Sequence, residues 1–252
     1  MRLKMNIFDR PPVFSIIMPA FNAETTIFES ISSILDQSYE DFELLVVDDC
    51  SSDNTKAIIE SFTDPRIKLF KLPVNKGVAE ARNTAIKHAQ GKYITFLDAD
   101  DTWLMDKLRT QYSYLENGYD LVYSAYTMTW PDKKTRTLVP PRRATYKKLL
   151  GGNFIGNLTG AYNSEKLGKF YQKAVGHEDY LMWLEIASTA ESSMGIPIPL
   201  AQYRVGASSL SANKMKTMRW TWDIYRKHLA LGVVRSSFCF IRYIFNASLK
   251  RL

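Results

Sequence analysis

Short apolar runs alternate with segments of helical spacing through the first part of the chain. Residues 13–18 are apolar and β-prone and stop at Pro19. Within 23–36, Ile27, Ile31, Ile34 and Leu35 fall at helical spacing. A second apolar run, 42–47, ends in Asp48-Asp49. Residues 54–62 again have helical spacing, with Asp53 or Asn54 available as the cap. Residues 67–72 make a third strand. Residues 77–89 make a third helix, closed by Gly91 as the residue after its C-cap. Residues 93–97 make a fourth strand. Strands and helices in this order predict an α/β fold, with a parallel sheet covered on both faces and right-handed crossovers.

The fourth run stops at three carboxylates within four residues, Asp98, Asp100 and Asp101. Acids packed at a strand's carboxyl end repel one another unless a positive group sits among them. A hard divalent cation that shares its oxygen ligands with a phosphate is one solution. An acidic turn capping the next helix is the other. Ligands of open α/β sheets bind at the carboxyl ends of strands, and other functional groups gather at the same edge. After the first strand come Pro19, Ala20, Phe21 and Asn22, and after the second comes Asp49. There Phe21 can lie against a base and Asp49 can accept from a ring N–H. A metal on Asp100 can grip a diphosphate, and Arg82, from the third helix, can reach the same pocket. Singly, each has a plainer role: Asp49 as a helix cap, Arg82 in a surface ion pair, Phe21 in the core. Their conjunction favours a site.

Composition narrows the class. The chain has 252 residues, enough for one large domain or a domain with an appendage. Cys50 and Cys239 are its only cysteines, too few for a disulfide framework or a zinc site, and in keeping with a reducing compartment. Residues 1–12 lack the apolar core of a signal peptide. The net charge of +7 is unevenly spread. Of 33 basic and 26 acidic residues, nine basic and one acidic fall in 214–252, leaving the tail at +8 and the rest at −1. The pI therefore describes the tail, and it is no argument for nucleic-acid binding by the body.

Taken in order, these segments resemble a family 2 glycosyltransferase of the GT-A fold. The resemblance is carried by Phe14-Ser15-Ile16-Ile17-Met18-Pro19-Ala20-Phe21-Asn22, by residues 30–38 and by Asp41-Phe42-Glu43-Leu44-Leu45-Val46-Val47-Asp48-Asp49. It continues through 51–55, Asn75-Lys76-Gly77, Ala81-Arg82-Asn83 and 91–101. It is dense to about residue 108, then returns at 177–184, at Tyr203-Arg204 and at 208–214. It implies a Rossmann-like nucleotide-binding half (13–108) with a mostly parallel sheet, an acceptor half (109–213), and a basic helical appendage (214–252). It further implies that Pro19, Ala20, Phe21 and Asn22 line the nucleoside pocket, that Asp49 reads the base, most often uracil, and that Arg82 supports base or phosphate. Asp98 would lie nearer the ribose, Asp100 would ligate Mg²⁺ or Mn²⁺ with help from Asp98, and Asp101 would face the sugar. Asp179 matches the catalytic base. One departure is Cys50, where the family more often has Gly; an ordinary turn conformation is expected there.

The implied reaction moves a sugar from a nucleotide diphosphate, a UDP-hexose or UDP-N-acetylhexosamine, to an acceptor hydroxyl with inversion. A single carboxylate opposite the leaving group can take the acceptor proton, which is worth about 10²–10⁴-fold. Asp179 precedes the apolar stretch 180–184, which reads as a buried helix. Its position near that helix's N-terminus favours the ionised form. Without the resemblance, Glu178 and Asp179 read better as first-turn acids complementing a helix dipole.

The middle region, 111–171, is aromatic and says less. Residues 131–143 read as a loop or flexible hairpin. Gly151-Gly152-Asn153 and Gly156-Asn157 read as turns beside an acceptor cleft. The tail mixes aromatics with Lys and Arg, as helices at a membrane interface do. A span over 229–249 would bury Arg235 and Arg242 at about 2.5–3.5 kcal/mol each, so a helix on an anionic surface is favoured, against a helical pair packed on the domain. Together these features predict a cytoplasmic enzyme, peripheral on the inner face of the cytoplasmic membrane. Its acceptor would be a lipid-linked saccharide in bacterial O-antigen, capsule or exopolysaccharide synthesis. A non-catalytic nucleotide-sugar-binding protein and a nucleotidyltransferase are the alternatives. The second would need a Gly-rich phosphate loop that Pro19-Ala20-Phe21-Asn22 is not.

Overall fold

Every position of β1 (Phe14–Ala20) and β2 (Phe42–Asp48) is buried, which is why both read as near-continuous apolar runs despite Ser15 and Glu43. The structure is a computed structural model that describes residues 10–206 and 214–249. In it β1 and β2 pair in parallel, with β3 (Ile67–Lys71) beyond β2 and β4 (Tyr93–Phe96) beyond β1. The connections are α1 (Ile27–Leu35), α2 (Thr55–Glu60) and α3 (Val78–His88). Alternate residues of the strands enter two cores. Ile16, Met18, Leu44 and Val46 meet Ile27, Ile31 and Ile34 of α1 on one face. Ile17, Leu45 and Val47 meet Ala81, Ala85 and Ile86 of α3 on the other.

β4 ends at Phe96, one residue earlier than its pattern predicts. The acids after it do not cap a helix, because they lead into the two-residue strand β5 (Thr102–Trp103), which precedes α4 (Lys107–Glu116). Gly91 is not the residue closing α3 either. The helix ends at Ala89 with ψ 132°. A Cβ on Gly91 would stand 2.5 Å from the Ser15 nitrogen, so glycine is needed there to let the chain pass against β1.

The sheet of the described residues has nine strands, and beyond β4 it is completed by pieces the pattern hides. β8 (Ala161–Asn163) pairs antiparallel with β4 and with β6 (Leu121–Thr129). β9 (Ser193–Arg204) runs parallel to β6, and β5 edges it. β7 (Thr135–Leu138) folds back on β6, so 131–143 contains a hairpin. Strands β1 to β4, β6 and β9 share one direction, which makes the sheet mostly parallel, as expected.

α5 (Tyr146–Leu149) and α6 (Ser164–Leu167) are single turns. α7 (Glu178–Thr189) is buried along most of its length, with Trp183 fully enclosed. The tail is α8 (Lys214–Asp223), a π-helical turn at Ile224–His228, and α9 (Val233–Leu249). Ile224, Tyr225, Leu231 and Cys239 belong to the same core as α7. The Tyr225 hydroxyl donates to the Leu150 carbonyl at 2.7 Å and meets the Tyr180 hydroxyl at 3.2 Å. The tail is therefore a helical pair packed on the domain. The outer side of α9 nevertheless leaves Val234, Phe238, Ile241 and Phe245 exposed, at the spacing of one helical stripe. No helix of the described residues is long and apolar enough to cross a membrane.

Candidate active site

The carboxyl ends of β1, β2 and β4 open on one edge, as a parallel arrangement requires. At the β1–β2 end two turns interlock. The Asn22 N–H donates to Ser51 Oγ, and the Ser52 N–H donates to Asn22 Oδ1 at 2.9 Å. Phe21 stands half exposed above them. Asp49 is buried, and its two oxygens accept the N–H groups of Lys76 and Gly77 at 2.7 and 2.8 Å. It thus ties the loop before α3 to β2, while an ionised carboxylate keeps lone pairs for a further donor. Cys50 takes φ +63°, so the expected ordinary turn is not what forms. Asp49 is anchored on one side and Ser51 N–H is held by Asp48 Oδ1 on the other. That leaves Cys50 to supply the left-handed bend, at a cost of roughly 1–2 kcal/mol for a residue with a Cβ.

A cleft of about 720 Å³ opens beside this edge. Arg82, Asp98, Asp100, Asp101, Glu178 and Asp179 all line it. Pro19, Ala20, Phe21, Asn22 and Asp49 lie outside its lining, at the ends of the neighbouring strands. Arg82 projects from α3 and is buried. It donates from Nη2 to Asp98 Oδ1 at 2.6 Å and from Nη1 to Gln172 Oε1 at 2.9 Å. Burial alone would weaken its charge, but the Asp98 carboxylate beside it holds its pKa above the ordinary arginine value. Asp101 is buried and accepts the Arg204 backbone N–H at 2.9 Å. Burial, then the charges of Asp100 and Asp98, push its carboxyl well above the usual range. Asp100 is open to solvent within the concave cleft. Surrounding protein, and then the charge of Asp98, raise its pKa as well.

The donor set for a cation can be judged from these contacts. Arg82 neutralises Asp98 and leaves Asp100 without an ion pair among the described residues. No group of three or more His, Cys, Asp or Glu among those residues is arranged to hold a metal unaided. Two carboxylates facing a cleft, with excess negative charge, fit a hard divalent ion that draws its remaining ligands from a phosphate.

Asp179 faces these acids from the first turn of α7. Its Oδ2 accepts from Asn153 Nδ2 at 3.1 Å. The helix N-terminus does not win here. Burial raises the Asp179 pKa, against the pull of Arg82 and His177. A base with a raised pKa is better matched to proton removal near neutrality.

Two residues around the cleft, Gln172 and Trp220, had no signal in the sequence. Gln172 is buried between Arg82 and Asn83, donating its backbone N–H to Asn83 Oδ1 at 2.7 Å. Trp220 comes from the tail yet lines the cleft. It meets His177 edge-on at 5.3 Å and lies over Gly176, where a Cβ would fall 2.2 Å from the ring. Asn157 also lines the cleft, and both of its amide atoms are buried without a partner among the described residues.

An α/β sheet with this strand order, with acids after β4 and a carboxylate on the facing helix, is the arrangement of the GT-A fold. Comparison with known proteins gives the family. The profile of Glycosyl transferase family 2 matches residues 15–170. The chain is 43% identical over 212 residues to the Escherichia coli UDP-Glc:alpha-D-GlcNAc-diphosphoundecaprenol beta-1,3-glucosyltransferase WfgD, covering 83% of this chain and 84% of that one. It is 34% identical to the putative teichuronic acid biosynthesis glycosyltransferase TuaG of Bacillus subtilis, over 96% and 98% of the two chains. The S. aureus TarS 1-349 structure in complex with UDP-GlcNAc superposes with a TM-score of 0.71 at 20% identity, covering 92% of this chain and 71% of that one. The chain belongs to glycosyl transferase family 2, and it is a glycosyltransferase.

Proposed function

We propose that the protein transfers a hexose, with glucose the first candidate, from its UDP derivative to a hydroxyl of a saccharide carried on a polyprenyl diphosphate, in the synthesis of a bacterial surface polysaccharide. The observation that carries this reading is the cleft itself: Arg82, Asp98 and Asp100 stand on one wall and Asp179 faces them. The 43% identity to an enzyme named for UDP-Glc and a diphosphoundecaprenol-linked GlcNAc supports the choice of donor and acceptor.

In this reading Phe21 stacks on the base and Asp49 accepts from its ring N–H, with Pro19, Ala20 and Asn22 forming the rest of the nucleoside pocket. Asp100, with Asp98, holds Mg²⁺ or Mn²⁺. When bound, that ion supplies charge neutralisation at the leaving diphosphate. Arg82 holds Asp98 in place through their 2.6 Å pair. The acceptor oxygen attacks the anomeric carbon as its bond to the UDP oxygen breaks, and its proton passes to Asp179. In-line displacement with one base inverts the centre, giving a β-linkage from an α-linked donor. The exposed stripe of α9, flanked by Arg235 and Arg242, rests on the anionic inner face of the cytoplasmic membrane, where each cation contributes about 1 kcal/mol.

The test is a donor panel of UDP- and dTDP-sugars offered with a synthetic GlcNAc-α-diphosphate lipid and Mn²⁺ or Mg²⁺. Transfer from a UDP-hexose with a β-linked product is expected. Asp100→Ala should abolish the metal-dependent part of the donor's thermal shift. A wild-type enzyme that binds UDP-sugars yet transfers to no acceptor with either metal would refute the reading and favour a nucleotide-sugar sensor.

A further inference from the structure

A second cavity, of about 460 Å³, lies behind the catalytic cleft. Asn153 and Phe154 line both spaces and are the partition between them. One side of the cavity is the turn Gly151-Gly152, and the other is α9, through Arg242, Tyr243 and Asn246. Asn246 Nδ2 donates to the Gly151 carbonyl at 2.8 Å, which fixes helix to turn. A Cβ on Gly151 would stand 3.1 Å from Asn246 Nδ2 and 3.3 Å from Arg242 Nη2, so glycine keeps both the close approach and the open space.

The charge of this cavity is opposite to that of the cleft. Lys148 and Arg242 face it, and no Asp or Glu lines it among the described residues. The Lys148 amine has only a long contact, 3.4 Å, to the Arg143 carbonyl. Phe154, Tyr243 and Pro141 make the remainder largely apolar. The partition residue Asn153 is the same one that donates to Asp179 Oδ2 at 3.1 Å. Beyond Arg242, the exposed Phe238, Ile241 and Phe245 continue along the same helix. Two cations therefore line a space that adjoins the Asp179 cleft at Asn153, and Arg242 comes from the helix that carries the apolar stripe, with no carboxylate to neutralise them in the cavity. One of them is a guanidinium, whose planar fork matches phosphate oxygens.

We infer that this cavity holds the diphosphate of the acceptor. Lys148 and Arg242 grip the phosphates, the acceptor sugar passes over Asn153 and Phe154 toward Asp179, and the isoprenyl chain leaves along Phe238, Ile241 and Phe245. The inference rests on the lipid-linked acceptor proposed above. It adds a site for the acceptor's head group that is separate from the donor's. The donor diphosphate meets an acid-lined wall and needs a metal. The acceptor diphosphate meets cations supplied by the chain.

The experiment uses the full chain and two changes at exposed or half-exposed side chains, Arg242→Gln and Lys148→Gln. Affinity for geranylgeranyl diphosphate is measured with saturating UDP and metal, so that the donor cleft is filled. Transfer is measured in parallel to a GlcNAc-α-diphosphate lipid and to an octyl GlcNAc glycoside, which has an apolar tail and no phosphate. Each change is expected to weaken the probe and to raise KM for the diphosphate acceptor about tenfold, the usual worth of one charge-assisted contact, with kcat and the octyl glycoside reaction unaltered. Wild-type probe affinity in both variants would overturn the inference, as would equal losses on both acceptors. Should the wild type transfer to no diphosphate-linked acceptor while its probe affinity still depends on Arg242, the acceptor reading falls and the diphosphate site stands.

Discussion

Replacing Asp179 by asparagine should make the protein more stable and at the same time inactive. Asp179 carries a raised pKa because burial on the first turn of α7 outweighs the pull of Arg82 and His177. An acid with a raised folded-state pKa keeps its proton at pH values where the unfolded chain has lost it. The folded state then binds more protons, and stability falls as pH rises from the ordinary Asp value, about 3.9, to the raised one. Above that window the full penalty persists, at about 1.4 kcal/mol for each unit of displacement. The neutral amide of Asp179→Asn would carry none of it. The amide oxygen can still accept from Asn153 Nδ2, which now lies 3.1 Å from the carboxylate. The lost attraction to Arg82 offsets part of the gain. Each 1 kcal/mol of net stabilisation at pH 7.5 corresponds to about 2–4 °C in Tm for a chain of this size. Thermal unfolding at pH 7.5 and at pH 4, with transfer assayed on the same samples, tests it. The Tm difference should shrink at pH 4, and turnover should fall about 10²–10⁴-fold while UDP affinity is kept. A variant less stable than wild type at pH 7.5, or one retaining a tenth of its turnover, would show that Asp179 is not both strained by burial and the base.

Three further changes probe other parts of the site. Arg82→Gln removes the 2.6 Å pair with Asp98 and leaves that carboxylate without its ion-pair partner; a loss of about 2–3 kcal/mol in urea unfolding and a donor KM raised at least tenfold are expected, and unchanged donor KM would contradict its role. Cys50→Gly relieves the left-handed strain at φ +63° and should raise stability by about 0.5–1 kcal/mol, the strain less the entropy glycine loses on folding; a lower Tm would mean the strain is absent. Gly176→Ala places a Cβ 2.2 Å from the Trp220 ring at a φ of +87°, so it should displace that ring, lower Trp fluorescence anisotropy and reduce turnover several-fold, with a stability cost of roughly 1–3 kcal/mol.

The β1–β4 part of the fold was legible because its central strands are buried on both faces and α1 presents one apolar stripe. Ile16, Ile17, Leu44 and Leu45 enter opposite cores and so leave no gap in the pattern. The rest of the sheet breaks that rule. β9 holds Pro197 and Pro199, residues that argue against an interior strand. They are tolerated because the register with β6 slips there, Ser124 pairing Ile196 and Ala125 pairing Pro199. β8 is only three residues long and β5 two, too short for any periodicity. In the site, Asp98 and Asp100 stood out by residue type and by place on their strand and Asp179 only through the family resemblance, whereas Gln172 and Trp220 act through contacts made at long range. The conformation of Cys50 and the raised pKa of Asp179 depend on neighbours brought in by other elements, which local spacing does not encode. The segment 208–213, part of the family resemblance, lies outside the described residues, as do residues 1–9 of the N-terminal stretch read against a signal peptide.

The tail's Trp220 and Tyr225 also bear on how such enzymes can be recombined. Basic C-terminal helices invite treatment as a cassette, to be exchanged between relatives to redirect an enzyme. In this chain the junction runs through the catalytic cleft at Trp220 and through the core at Tyr225, whose hydroxyl serves the Leu150 carbonyl. A graft made ahead of α8 would arrive with a foreign wall for the cleft and a mismatched partner for Tyr180. Inheritance should therefore favour exchange of α7, the 148–157 loop and the tail as one block, with breakpoints falling on the β1–β4 side of the sheet.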